Sequence, residues 1–239
     1  MVLDSVPPEA RLFLDRDGDQ VCLREPYKDI IQKSLYGQAQ QRVSLLCEDE
    51  VAEALVRGVL EYIGPEIDLL QGDVEVGRDT GKDQYPAHLE TLARFKRLHD
   101  VVFVLDGDGR EVKSILESRA ERYGQLARVL LLPGNGTPEA WCWDRLSCRS
   151  DFYSSLLGVN AVDLVKRMQD TDNLYANASD KPASIAKARF YSICDFFSKT
   201  PVEMARLIGR QEAESRSGEI QEFVSGLKDA ILAWRSYGH

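Results

Sequence analysis

Two aspartates separated by one glycine follow the most apolar run of the chain. The run is Val101-Val102-Phe103-Val104-Leu105, and Asp106-Gly107-Asp108 comes directly after it. A buried strand of this kind delivers both acids to one edge of a sheet, and Gly107 lets the backbone turn so that both carboxylates face one ion. Hard divalent cations such as Mg²⁺ prefer oxygen ligands of this type. The pattern therefore predicts a metal site at this strand end.

A second group of acids follows another apolar run, over residues 42–47, and consists of Glu48, Asp49, Glu50 and Glu53. Asp49 and Glu53 are four residues apart and share one face of the predicted helix, while Glu48 lies at the helix entrance. The helix dipole also favours acids at a helix amino terminus, which accounts for one or two of them without any metal. Acids at two strand ends are a sharper signal than either group alone.

The elements that must position these acids alternate between strand and helix. Apolar runs and helical periodicity predict strands over residues 42–47, 73–76, 101–105 and 127–132, and helices over 49–63, 86–98 and 110–123. Such alternation implies an α/β fold, with a mostly parallel sheet flanked by helices. Active sites of these sheets lie beyond the carboxyl ends of the strands, which here are Glu48, Gly77, Asp106 and Gly134.

The strand signals stop near residue 151. Helices are predicted over 159–168, 182–197, 201–208 and 217–234, so that residues 149–239 form a carboxy-terminal all-helical region. At the other end, residues 1–37 predict a hairpin of strands 10–14 and 20–23, with a turn at 15–19, followed by a helix from Tyr27. An apolar stripe in the last helix predicts core packing or a dimer face, with core favoured, and it consists of Ile220, Val224, Leu227, Ile231 and Trp234.

The composition is that of a folded protein with an acidic surface. Hydrophobic residues make up 44% of the chain, and the net charge is -9, which argues against a protein that grips nucleic acid mainly through a basic surface. Five cysteines without a CxxC pair, together with three histidines, argue against zinc. The odd cysteine count and the lack of a signal peptide or long apolar run predict a cytoplasmic protein without membrane attachment.

Residues of about 40–145 resemble the Toprim fold of topoisomerases, primases and OLD-type (overcoming lysogenization defect) nucleases. The resemblance rests on Leu45-Leu46-Cys47-Glu48 and on the strand that ends in Asp106-Gly107-Asp108. Leu131-Leu132-Pro133-Gly134-Asn135-Gly136-Thr137-Pro138-Glu139 looks like the OLD variant, in which the strand leads to a glutamate on the next helix. The resemblance implies a Toprim domain over 38–148 that holds two Mg²⁺ or Mn²⁺ ions through Glu48, Asp106, Asp108 and Glu139.

The chain departs from this family at one position. Many relatives carry a second acid four residues after the first, and that position is Ala52 here. Glu53 is the first choice for the missing ligand and Asp49 the second. OLD-type nucleases also use a lysine in the helical part, for which Lys187 is the best match and Lys181 the next.

The function that the resemblance implies is metal-dependent cleavage of DNA phosphodiester bonds. Two ions about 4 Å apart activate water and stabilise the leaving oxygen in such sites. Asp106 would anchor the ions and Glu48 could also act as general base, while Gly136 and Thr137 would support the site. Family members typically carry a preceding ATPase domain as well. Residues 77–83 have the wrong spacing for a phosphate loop, so the chain is expected to be either the carboxy-terminal portion of a longer protein or a shortened relative. The amino-terminal hairpin has no obvious sheet partner in the rest of the sequence, which favours the first alternative, with residues 1–37 as the remnant of such a domain.

Two other functions fit parts of the sequence. One is a non-catalytic Toprim module that recruits DNA or partners. The other is a haloacid-dehalogenase-like phosphatase with Asp15 or Asp106 as nucleophile. That chemistry needs a threonine soon after the glycine, where Asp19 and Arg110 stand instead, and no aspartate pair ends a later strand.

Overall fold

The computed structural model describes the backbone of residues 13–17 and 20–24, and the chain over 42–237 except residues 71, 79–82, 177, 180 and 217. The chain divides into two compact units, residues 1–42 and 43–239. In the first, β1 (Phe13–Asp17) pairs antiparallel with β2 (Gln20–Arg24). The predicted hairpin is confirmed, but the predicted position of its turn, residues 15–19, is wrong. Strand β1 continues to Asp17, which pairs with Gln20. The predicted helix from Tyr27 lies outside the described residues.

The second unit contains the predicted parallel sheet. Its strands are β3 (Val43–Cys47), β4 (Val74–Arg78), β5 (Val101–Leu105) and β6 (Arg128–Leu131), in the order β4-β3-β5-β6. They are connected in turn by helices α1 (Glu50–Ile63), α2 (Tyr85–Arg94) and α3 (Arg110–Arg122). Helix α2 ends four residues before the predicted end at residue 98, and a short 3₁₀ turn (Leu98–Asp100) leads into β5. The α/β fold class is therefore confirmed.

Strand β5 lies inside the sheet and is buried along its whole length. Its residues alternate between two hydrophobic cores, as the two-residue period of a strand requires. Val102 and Val104 face a core shared with α1, whereas Val101, Phe103 and Leu105 face a smaller core with α2 and α3. Burial on both faces explains why five consecutive apolar residues precede the acids.

The carboxy-terminal region is all-helical, as predicted. Its helices are α4 (Pro138–Cys148), α5 (Ser150–Leu157), α6 (Ala161–Tyr175), α7 (Pro182–Phe196), α8 (Pro201–Ser215) and α9 (Gly218–Tyr237). Helix α8 extends seven residues past its predicted end at residue 208, because buried Glu212 pairs with Arg149. The apolar stripe of α9 is buried in the same core as α1. Among the described residues, no helix is long and apolar enough to cross a membrane.

Helices α1 and α8 approach each other through two glycines. A Cβ atom added to Gly58 would overlap the carbonyl oxygen of Arg206, and one added to Gly209 would overlap that of Leu55. The two backbones are therefore in contact, and each helix supplies a glycine where the other presents a carbonyl group. This contact ties the α/β part to the helical region within one core.

We predict that Gly58→Ala lowers the free energy of unfolding by about 1–3 kcal/mol, because the two backbones would have to separate. An exposed helical glycine would respond in the opposite way, since alanine has the better helix propensity by about 1 kcal/mol. Denaturant unfolding measures the difference. Gly77→Ala is the control, because a Cβ at Gly77 meets no atom within 4 Å. A Gly58→Ala variant as stable as the wild type would show that the helices do not pack this closely.

Candidate functional site

Asp106 lies at the end of β5 with only 8% of its surface exposed. Its backbone N–H donates a hydrogen bond of 3.0 Å to Oε1 of Glu48, which follows the neighbouring strand β3. The Oδ1 atom of Asp106 is buried and accepts no hydrogen bond. A buried carboxylate oxygen without a partner is costly, so it requires an explanation such as a bound ion or a proton.

The loop after β6 packs directly against the loop after β5. The N–H of Gly107 donates to the carbonyl oxygen of Gly136 at 3.0 Å. A Cβ on Gly107 would lie 2.5 Å from the carbonyl oxygen of Gly134, so only glycine fits at this position. The close approach leaves the side chain of Asp108 exposed, where it lines a pocket together with Thr137.

Glu139 is the second buried acid, with 2% of its surface exposed in the first turn of α4. Thr137 caps this helix and accepts a hydrogen bond from the Ala140 N–H at 3.4 Å. The Oε1 atom of Glu139 also lacks a hydrogen-bond partner. The Nζ atom of Lys187 on α7 forms an ion pair with it at 3.6 Å, which is longer than a hydrogen bond.

The two buried acids are electrostatically coupled to their neighbours. Burial raises the pKa of Asp106 to about 8, with further contributions from the charges of Glu48, Asp49, Asp108 and Glu139. Burial also raises the pKa of Glu139, and the charge of Asp49 adds to this effect, whereas Lys187 and Thr137 oppose it. The acids from three parts of the sequence therefore affect one another at a single edge of the sheet.

Asp49 and Glu53, the two candidates for the missing ligand, have different surroundings. Asp49 caps α1, and one of its oxygens accepts hydrogen bonds from the N–H groups of Val51 and Ala52. Its charge also raises the pKa of both buried acids. Glu53 instead pairs with Arg57 at 2.8 Å and with Arg78 at 3.2 Å. Glu53 is thus paired with two arginines, whereas Asp49, the second choice from the sequence, acts on both buried acids.

The two candidate lysines lie at different distances from the buried acids. Lys187 contacts Glu139, whereas Lys181 lines the pocket that contains Asp108, Gly136 and Thr137. The sequence analysis missed Tyr191, one helical turn from Lys187 on α7, whose ring centre lies 5.4 Å from the Nζ atom of Lys187. The four-residue spacing was visible in the sequence, but nothing in the sequence showed that this face of α7 meets the acids.

Within the part of the chain that the structure describes, no three histidine, cysteine, aspartate or glutamate side chains form a ready-made ion-binding group. Carboxylates that repel one another are expected to point apart when no cation lies between them. Binding would therefore require side-chain rotation, for which the exposed Asp108 has room. The assignment of metal ligands stays a prediction.

Comparisons with known proteins add little to this description. No protein-family model and no curated protein matches the chain. Among solved structures, the chain is similar to the carboxy-terminal region of the OLD protein of Xanthomonas campestris pv. campestris. The two are 13% identical with a TM-score of 0.45, over 82% of this chain and 97% of that chain. A likeness this low carries no argument, so the function must be argued from the site itself.

Because the pKa of Asp106 is raised, the free energy of unfolding of the metal-free protein should depend on pH. A chelator keeps the protein free of metal in this experiment. Between the unfolded value near 4 and the folded value of about 8, the folded state binds more protons, so stability falls as pH rises through this range. Asp106→Asn removes this loss and should raise the melting temperature at pH 8 by at least about 4 °C. At pH 4.5 the two melting temperatures should be closer. Thermal unfolding at both pH values, with exposed Asp170→Asn as control, measures this, and an equal shift at both would contradict it.

Proposed function

We propose that this chain is a divalent-metal-dependent endonuclease that hydrolyses DNA phosphodiester bonds at the carboxyl edge of its parallel sheet. One observation carries the proposal. Asp106 follows β5 and Glu139 lies in the first turn of α4, both are buried, and each keeps an oxygen without a hydrogen-bond partner. Buried carboxylates in this state need a positive charge nearby. Both acids lie at the same edge of the sheet, which supports a positive charge common to the two.

The donor chemistry of the site fits Mg²⁺ or Mn²⁺. The oxygens of five carboxylates lie at this edge, and hard cations bind such oxygens. The nearby Cys47 thiol stays neutral, because burial raises its pKa, and it adds no soft ligand. The residues that would hold the ions are Glu48, Asp49, Asp106, Asp108 and Glu139. When bound, two such ions supply an activated water and stabilise the leaving oxygen of the phosphodiester.

The other side chains have roles that follow from their positions. The Asp106 N–H holds Glu48 at the site by a hydrogen bond. In this position the carboxylate of Glu48 could take a proton from the attacking water. The side chain of Lys187 is about half exposed (48%), so its ammonium group can meet a phosphate group while it stays beside Glu139. Lys181 can make a second phosphate contact next to Asp108, and Gly136 and Thr137 hold the loop that brings Glu139 to the site.

Phosphatase chemistry has less support from the same residues. That chemistry needs a threonine soon after the glycine, and Arg110, the first residue of α3, stands there instead. Asp15 lies within β1, opposite Cys22, and does not follow a strand end. The proposed ATPase domain that would precede the chain, and the DNA that it would contact, are taken from the resemblance to OLD-type nucleases.

The proposal predicts nicking or cutting of supercoiled plasmid in Mg²⁺ or Mn²⁺, and its loss in a chelator. Asp106→Ala and Glu139→Gln should each lower the rate by about 100-fold or more, because each removes a ligand of the ions that would activate the water and stabilise the leaving oxygen. Gel electrophoresis of the plasmid measures both rates. Glu121→Gln is the control, since Glu121 lies at the end of α3, away from the strand ends that carry the acids.

Three results would contradict the nuclease. They are the absence of cleavage at high protein concentration in both metals, cleavage that survives Asp106→Ala, and turnover of a small phosphomonoester instead of the plasmid. The first result would favour the non-catalytic module, and DNA binding without cleavage would then identify it.

Asp49→Asn and Glu53→Gln distinguish the two candidates for the remaining ligand. Asparagine caps a helix as well as aspartate does, so Asp49→Asn removes the charge and keeps α1. We predict that it weakens Mn²⁺ binding by about tenfold, in line with the loss of one coordinating group. Glu53→Gln should weaken Mn²⁺ binding less than threefold and instead loosen Arg57 and Arg78. Titration calorimetry measures both affinities, and the reverse order would make Glu53 the ligand.

A further inference from the structure

On the proposed function, the candidate site needs more positive charge than its lysines supply. The acids at this edge of the sheet outnumber Lys181 and Lys187, the two lysines beside them. Two arginines, one on α1 and one at the end of β4, add little, because both pair with the same carboxyl group. The guanidinium group of Arg57 lies 2.8 Å from Glu53, and that of Arg78 lies 3.2 Å from it. A polyanion therefore requires a cation without an acid partner.

Arg110 is a cation of this kind. It is the first residue of α3 and follows the aspartates at the end of β5. Its Nη2 atom donates a hydrogen bond of 2.9 Å to Oδ1 of Asn135, in the loop after β6. Asn135 is neutral, and Arg110 forms no ion pair with any residue that the structure describes, so its charge is not offset. The helix dipole opposes a cation at this end of α3, so the helix itself gives no reason for it.

Arg110 lines a hollow of about 530 Å³ between α3, the end of β6 and α9, here called the Arg110 hollow. Gly107, between the two aspartates, lines it as well, so the hollow adjoins the candidate metal ligands. Lys113 also lines it, three residues after Arg110 and on the same face of α3. The ammonium group of Lys113 lies 3.9 Å from Glu117, which is too long for a hydrogen bond. The hollow thus presents two cations next to the acids.

Two acids of α9, Glu219 and Glu222, line the same hollow. Glu219 accepts a hydrogen bond of 3.1 Å from Nε1 of Trp141 and pairs with Arg145 at 3.1 Å, so its charge is offset. Glu222 is exposed and forms no ion pair within the described part of the chain. Neither acid pairs with the two cations of α3, whose charges therefore remain available to an anion.

A second hollow lies at the other end of the loop after β6. Gly134 lines the Arg110 hollow. Gly136 lines the hollow that contains Lys181. The carbonyl oxygen of Gly136 accepts a hydrogen bond of 3.0 Å from the N–H of Gly107, which fixes the loop against the end of β5. A DNA strand that crosses this loop would meet a cation at each end of it.

We infer that Arg110, with Lys113 beside it, binds a phosphate group of the DNA next to the one that is cleaved, across the loop from Lys181. The inference rests on the proposed function and names the contacts that help to offset the acids. A guanidinium group binds phosphate through parallel N–H bonds, and such contacts position the strand without reading its sequence. The hydrogen bond to Asn135 holds the guanidinium group in place before DNA binds.

The first test compares Arg110→Gln with wild type in binding a short DNA duplex over a series of salt concentrations. Ca²⁺ replaces Mg²⁺ as the hard cation. Arg110→Gln should bind about tenfold more weakly, as expected when a hydrogen bond to a charged group is lost. The slope of log affinity against log salt should decrease in magnitude by about 0.9, the value for one phosphate contact. Duplexes of unrelated sequence should show the same loss.

Arg122→Gln is the matched control, because Arg122 is an exposed arginine at the other end of the same helix. It should leave both the affinity and the salt slope as in wild type. Glu222→Gln should bind DNA at least as tightly as wild type, since it removes a negative charge from the Arg110 hollow. Melting temperatures show whether each variant is folded. Should Arg110→Gln fail to fold, Lys113→Gln takes its place in every assay.

The second test locates the phosphate group. A neutral methylphosphonate replaces one phosphate of the duplex at a time. At one position beside the cleaved bond it should weaken binding to wild type by about tenfold, because the contact with Arg110 is lost. The same replacement should weaken binding to Arg110→Gln by less than about twofold, since that contact is already absent.

The outcomes separate this inference from the proposed function. If wild type binds and cleaves DNA but the variant keeps the salt slope of Arg122→Gln, only the phosphate contact is overturned. It is also overturned if no methylphosphonate weakens wild type more than the variant, or if Glu222→Gln binds more weakly than wild type. If wild type binds DNA with the expected dependence on Arg110 but cleaves none in Mg²⁺ or Mn²⁺, the nuclease fails and the contact belongs to a non-catalytic module. If wild type binds no DNA, both fail.

Discussion

The hydrogen bond from the Asp106 N–H to Glu48 fixes the ends of β3 and β5 against each other. Both strands end in apolar residues, and their pairing aligns Leu46 with Phe103. The chain then places an acid at the end of each strand, where parallel alignment brings the acids to the same edge. Burying Asp106 there is unfavourable for a carboxylate, so the surrounding core must stabilise an arrangement that the acids alone would oppose.

The helical region is needed to complete this edge. Glu139 enters from α4 and Lys187 from α7, and both helices pack in the core that α1 shares with α8. The contact of Gly58 with the backbone of α8 fixes α1, which Asp49 caps at its amino terminus. A change in helix packing far from the acids therefore alters the distances between them. The α/β part and the helices act as a single support for the site.

The sequence predicted well the features that depend on neighbouring residues. Strand β5 was predicted to the residue, because five buried apolar positions end at an aspartate and a glycine. The end of α8 was missed, because the buried charge of Glu212 reads as a surface position in the sequence. Its partners Arg149 and Tyr153 are about sixty residues away and could not be inferred from local spacing.

Long-range pairing also explains why the sequence could not decide between Asp49 and Glu53. From the sequence, Glu53 and Asp49 were nearly equivalent candidates on one helix face. Only the fold shows that Arg78, at the end of β4, pairs with Glu53 and that Asp49 acts on the buried acids. The position of Tyr191 was hidden in the same way, since its spacing from Lys187 does not show that this face of α7 meets Glu139. The position of the acids at one edge of the sheet was thus predictable from the sequence, whereas the surroundings of each acid were not.

The charge of the chain sets a condition on any nuclease function. A net charge of -9 and five acids at the candidate site repel a polyanion, and Lys181 and Lys187 alone do not offset them. On the proposed function, cation binding must therefore come before or together with DNA binding, because it reverses the local sign. Binding a cation would also displace the proton that burial keeps on Asp106 near neutral pH. Metal uptake, proton release and DNA binding would then be one coupled equilibrium, centred on the acid that ends β5.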